Sequence, residues 1–235
     1  MRKRRAYSRG RMAKPGDPIT AFISYSYTDR KLGHDVKDEL SGYGIRCFLA
    51  HDDIKPSAQW VREIRRALRT CDVFLPILTD DFHQSKWTDQ EVGWALSRNI
   101  LIVPLKVTVT PYGFLGAYQA VKCDATALGA ACTATIDALL EQKPQLHPRF
   151  IEGFIPVFAD SSSFDEAGRR ARVLQKCRGY TQSHVRKIAR ATIDNRQIHG
   201  SRTAHDSLAR FLTTHSSSGP VTREALKKMG VIDLS

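Results

Sequence analysis

The stretch "SKWTDQEVGWAL", Ser85 to Leu96, sets Glu91 between Trp87 and Trp94 at spacings of four and three. In a helix of about 3.6 residues per turn these three side chains share one face. Two readings stay open on spacing alone: a solvated helix glutamate with aromatic neighbours, or a charge placed in a partly apolar pocket, where desolvation would raise its pKa. A second group is "FISYSYTDR", where Ser24, Tyr25, Tyr27 and Asp29 bring hydroxyls, rings and a carboxylate to the end of a hydrophobic run, with Thr28 or Asp29 placed to cap a helix. A third is "CFLAHDDIKPSAQW", which offers Phe48 and Asp52 in an acidic, proline-stiffened loop, with Ser57 as a helix cap.

All three groups follow candidate strands. "ITAFIS" is a compact β-rich run, and the next segment puts Leu32, Val36, Leu40 and Tyr43 on one helical face before Gly44 ends it. "IRCFLA" predicts a second strand, and Trp60, Ile64, Ala67 and Leu68 a helical stripe after it. "DVFLPIL" is apolar throughout, as a strand covered on both faces would be. "ILIVPLKV", Ile100 to Val107, predicts a fourth strand, "AYQAVKC" a short fifth, and "ATALGAACTATIDALLEQ" a closing helix. Strands alternating with helices in this way indicate an α/β domain with a central parallel sheet. Ligands in such sheets bind at the carboxyl ends of the strands, which is where Glu91, the "SYSYTD" segment and the acidic loop would meet.

The net charge of +12 is unevenly spread: +6 over residues 1–18, −2 over 19–141 and +8 over 142–235. This divides the chain into a basic flexible tail, the α/β domain, and a small helical C-terminal appendix in which Ser163 or Asp165 would open the first helix. Phe150, Phe154, Phe158, Phe164, Tyr180 and Phe211 are dispersed among the appendix's basic residues rather than interleaved with them, which argues against nucleic acid as a partner. No apolar run approaches the roughly 18 residues of a membrane span, and the basic N-terminus lacks the apolar segment of a secretory signal, so a soluble, cytoplasmic protein is expected. The five cysteines are scattered and never spaced C-x-x-C, which predicts buried free thiols and no metal site. No Gly-rich dinucleotide fingerprint precedes a helix, so a hydride-transfer enzyme is excluded. His34, His51 and His83 read as surface residues.

In order and spacing, "FISYS", "FLAHDDI" and "WTDQE" resemble a TIR (Toll/interleukin receptor) domain of the bacterial type over about residues 19–141, although residues 99–140 match in hydrophobic pattern only. The resemblance implies a flavodoxin-like five-stranded parallel sheet. It also implies an NAD+ glycohydrolase or cyclase that breaks the nicotinamide–ribose bond, giving nicotinamide and ADP-ribose or a cyclic ADP-ribose isomer. NAD would then be the substrate, with no cofactor. The family's essential glutamate carries over to Glu91 and its motif tryptophan to Trp87. Ser24, Tyr25, Tyr27, Asp29, Phe48, Asp52, Ser85 and Trp87 are the expected substrate contacts, the rings among them serving as stacking faces. The family's self-association loop carries over to Leu49–Ala58. An assembly-activated defence effector would answer to an upstream sensor or activator, with the appendix as sensor, oligomerisation element or cover. The alternative is a non-catalytic scaffold acting through TIR–TIR contacts in signalling.

Overall fold

The computed structural model describes residues 17–50, 58–215, 217 and 219–232, without the side chains of residues 58–60. Parallel strands form the sheet: β1 (Thr20–Ser24), β2 (Arg46–Leu49), β3 (Val73–Leu78), β4 (Leu101–Ile102), β5 (Leu105–Lys106) and β6 (Val121–Lys122). β4 and β5 both pair with β3 and are halves of the fourth strand expected from "ILIVPLKV". The ladder between them and β3 lapses where Pro76 faces the segment holding Pro104, two residues without an N–H to donate. With the halves counted as one strand, the order is second, first, third, fourth, fifth. This is the flavodoxin-like arrangement, and its strand order reverses between β1 and β3.

Strand alternation splits the core into two layers. Ala21, Ile23 and Tyr25 of the first strand segment, with Val73, Leu75 and Ile77 of β3, join α1 (Arg30–Ser41) and α4 (Leu128–Gln142) on one face. Phe22, Phe74 and Leu78 join α2 (Ala58–Thr70) and α3 (Thr88–Ser97) on the other. Phe48, Phe22 and Phe74 stack across three adjacent strands on that second face, at centroid separations of 5.3 and 5.7 Å. The helical stripes are seated as their periodicity indicated: Val36, Leu40 and Tyr43 beneath α1 and its end, Ile64 and Leu68 beneath α2. Trp60 and Ser57 lie outside the residues whose side chains are described.

After α4 come six helices among the described residues: α5 (His147–Ala159), α6 (Phe164–Leu174), α7 (Gln182–Asp194), α8 (Arg196–His199), α9 (Arg202–Thr214) and α10 (Pro220–Lys228). Ser163 caps α6 by accepting from the Glu166 amide at 3.2 Å. The helices are not strung out beside the sheet. Phe150, Phe154 and Phe158 of α5 are at most 1% exposed and enter the same core as α1 and β1. The Phe154 ring stacks on Tyr43 at 6.3 Å. Gly44, at φ +77°, lets the chain pass so close to α5 that a Cβ there would stand 2.2 Å from the Gly153 carbonyl oxygen.

A polar clamp closes the amino-terminal edge of the sheet. The Arg149 guanidinium donates to both Asp72 carboxylate oxygens, at 2.7 and 2.9 Å, and to the carbonyls of Asp17 and Pro18. Asp72 in turn accepts from the Thr20 amide and hydroxyl. One bidentate ion pair thus ties the starts of β1 and β3 to α5. The division expected at residue 142 falls at the end of α4, but the core runs across it.

Candidate active site

Glu91 and Ser24 meet at the β1/β3 crevice. Ser24 is the last residue of β1, and its even-numbered place in the alternation turns it toward α3. Glu91 sits in the first turn of α3, the helix that follows β3. The start of that helix is fixed by Thr88, wholly buried, whose hydroxyl donates to the Phe82 carbonyl at 2.6 Å and also reaches the Ser85 carbonyl. From there Glu91 is carried inward until 2% of it remains exposed.

The two oxygens of the Glu91 carboxyl differ in their surroundings. Oε2 accepts a hydrogen bond from the Ser24 hydroxyl at 2.6 Å, and Oε1 is buried with no hydrogen-bond partner among the described residues. Burial pushes the carboxyl up to about 8, with the Ser24 hydroxyl pulling it back down. The helix N-terminus also favours an anion here, but desolvation outweighs it. Of the two readings left open by spacing, the solvated glutamate is excluded: this is a carboxyl held in a dry pocket, protonated near neutral pH.

Around this pair, hydroxyl–carboxylate contacts lace the same edge together. Thr79, just past β3, donates to Asp29 at 2.5 Å, and Thr28 donates to Asp81 at 2.9 Å. Asp29 occupies the cap position of α1, yet neither it nor Thr28 makes a side-chain cap bond there. The expected capping gives way to these cross-links between the β1 and β3 loops. Tyr112, beyond β5, donates to Asp89 at 3.0 Å and brings a further loop against the first turn of α3.

The other expected contacts are placed differently from one another. Tyr27 is 65% exposed and presents an open ring at this edge. Trp87 is half-buried at the cap position of α3, and Ser85 is half-buried beside it, its hydroxyl accepting from the Trp87 amide at 3.4 Å. Phe48 is half-buried, with its ring committed to the stack on Phe22. Tyr25 is a correction. It follows Ser24 by one residue, so alternation turns it to the opposite face, where it is fully buried with its ring against Gly33 of α1 and offers no face for stacking. Asp52 and most of the Leu49–Ala58 loop lie outside the described residues; of that loop, Leu49 and Ala50 are core residues. Thr88 and Thr79 were not singled out from sequence, although Thr88 stands at the first helical position of the "WTDQE" motif.

The opposite edge of the molecule carries a cavity of about 660 Å³ between α4, α5 and the turn after α6. Its carboxylates, Asp137 and Glu141, are balanced by Lys176 and Arg178. Its buried His147 has both ring nitrogens engaged, by the Arg178 amide and the Leu140 carbonyl. Nothing there resembles the half-unpartnered carboxyl of Glu91. Among the described residues no group of His, Cys, Asp and Glu is placed to hold a metal ion, and no helix is long and apolar enough to cross a membrane.

A parallel sheet in this strand order, with a buried, raised carboxyl at the β1/β3 reversal, defines a doubly wound α/β domain with a ligand-type crevice. The TIR domain family model matches residues 21–140, and the chain belongs to that family. The family includes NAD-cleaving enzymes as well as scaffolds. No curated protein and no solved structure matches the chain.

Proposed function

We propose that this protein cleaves NAD+ at the nicotinamide–ribose bond, as a glycohydrolase or cyclase, with Glu91 as the catalytic residue. The observation that carries this reading is the buried Glu91 carboxyl with one oxygen held and the other unpartnered. Breaking an N-glycosidic bond to a cationic nicotinamide builds oxocarbenium character on the ribose, and a carboxylate beside it stabilises that charge or orients the ribose hydroxyls. Nicotinamide departs neutral, so no general acid is required and a single carboxyl suffices.

Glu91 rests protonated near neutral pH, with a pKa of about 8. The positively charged nicotinamide ring of NAD+ favours the ionised form of Glu91, so the proton passes to solvent as that ring settles, and the resulting carboxylate acts in a water-poor site where its field is strong. Tyr27, 65% exposed, presents a ring at this edge for stacking, and Trp87 stands half-buried at the start of the helix that carries Glu91. At 2% exposure the carboxyl is covered in the resting form, which supports an activity that assembly of the protein turns on, as in a defence effector.

The test is nicotinamide release from NAD by purified protein at low and high concentration, beside Glu91→Gln. The wild type should turn over at high concentration, and the variant should lose about 10²-fold or more of the rate. Equal release by both proteins would remove Glu91 from the mechanism. No release at any concentration would leave the scaffold role.

A further inference from the structure

Ser24 stands among the residues expected to touch substrate, but its surroundings give it another task. It is wholly buried, and its hydroxyl donates to Glu91 Oε2 at 2.6 Å, a bond that strengthens when the carboxyl takes up charge. Its position is dictated by the backbone, since it closes β1 in register with Pro76 of β3. Thr88 independently fixes the start of α3. The carboxyl is therefore carried by a helix whose start is fixed and is held to the end of β1 by the Ser24 hydroxyl.

We propose that Ser24 is a positioning residue for Glu91 and not a substrate contact: by holding Oε2 it fixes the carboxyl rotamer and leaves Oε1 as the oxygen that meets the reacting ribose. This rests on the proposed NAD cleavage for its catalytic meaning, while the Ser24–Glu91 couple itself stands on geometry. Two consequences separate this role from substrate binding. A hydroxyl that donates to the carboxyl favours the ionised form, so its loss should raise the pH at which Glu91 ionises. A group that never meets substrate should leave KM in place while kcat falls.

The experiment compares wild type, Ser24→Ala and Ser24→Thr. The ionisation of Glu91 is read directly, as the infrared carboxyl band of each protein minus that of its Glu91→Gln counterpart, titrated with pH; this needs no turnover. Ser24→Ala should move the titration upward and Ser24→Thr, which keeps the hydroxyl, should restore it toward wild type. Under assembling conditions, at a pH above the Glu91 titration of both proteins, Ser24→Ala should lower kcat roughly 10-fold or more, from the loss of one hydrogen bond to a charged group, with KM unchanged. A titration that Ser24→Ala leaves in place overturns the proposal, as does a rise in KM with kcat intact. A titration that Ser24→Ala moves upward, in a protein whose wild type releases no nicotinamide, would overturn the proposed function and leave the Ser24–Glu91 couple standing. Thermal melts of the three proteins identify any variant that has failed to fold, and Ser24→Cys, similar in volume and a weaker donor, then takes the place of Ser24→Ala.

Discussion

Replacing Glu91 with glutamine should stabilise this protein, by an amount that grows with pH. In the unfolded chain the carboxyl ionises at its ordinary 4.5, whereas in the fold it holds its proton up to about 8. Between those values the unfolded state has released a proton that the folded state retains, so rising pH favours unfolding through this group. Each pKa unit corresponds to about 1.36 kcal/mol, so wild type should carry a penalty below about 1 kcal/mol at about pH 5, about 3 at about pH 7 and about 5 at about pH 9. Because the group is almost wholly buried, solvent screening takes little from these figures. Glutamine does not titrate, so whatever fixed cost its amide incurs beside Ser24 is the same at every pH.

Urea or thermal denaturation of both proteins at the three pH values isolates the effect, because all other titrating groups cancel in the difference. For a chain of this length the variant's Tm advantage should widen by roughly 5–10 °C between about pH 5 and about pH 7. A difference between variant and wild type that stays flat across pH would refute the dry-pocket account of Glu91. The measurement is independent of any enzymatic activity.

Other consequences are checked as readily. Arg149→Ala strands Asp72 at a site where both side chains are 12% exposed, and should cost about 3 kcal/mol in urea denaturation, with Arg149→Lys recovering only part of it because lysine lacks the bidentate fork. Gly44→Ala should lower Tm well below Gly113→Ala: both positions have positive φ, but a Cβ at Gly44 collides with the Gly153 carbonyl and one at Gly113 meets nothing within 4 Å. All five cysteines are buried, with the thiols of Cys47, Cys71 and Cys177 pushed up to about 12 by that burial, so native protein at about pH 8 should resist iodoacetamide that labels every thiol in denaturant. A chain ended at Gln142 should fail to give a soluble, cooperatively melting domain, because it uncovers Tyr43 and the core face on which α5 packs.

The sheet, its order of strands and helices and the place of Glu91 were legible in the sequence because each rests on a local pattern: alternation, helical spacing, and a motif at fixed distance from a strand. What escaped depends on partners far along the chain. Tyr25 looked like a ring at the ligand edge, yet the same period of two that brings Ser24 to Glu91 sends its neighbour under α1; the alternation was readable, but which face held α3 was not. Asp29 looked like a helix cap, and spends its carboxylate on Thr79, 50 residues on. The break in the fourth strand follows from Pro104 meeting Pro76 across the ladder, a pairing only register reveals. The C-terminal helices read as an appendix because their amphipathic spacing says that a face is buried, without saying against what.

The Arg149 clamp also bears on the order in which the chain can fold. It joins carbonyls of Asp17 and Pro18 to a side chain 132 and 131 positions later, and so contributes some of the longest-range contacts in the molecule. Contacts of that span slow folding, since the loop they close must be ordered before they reward it. During synthesis β1 leaves the ribosome early and remains without its clamp, and without the α5 side of its core, until α5 follows. A nascent chain that has emerged only as far as the family boundary near residue 140 has every strand of the sheet, yet neither its clamp nor the helix that covers one face of its core.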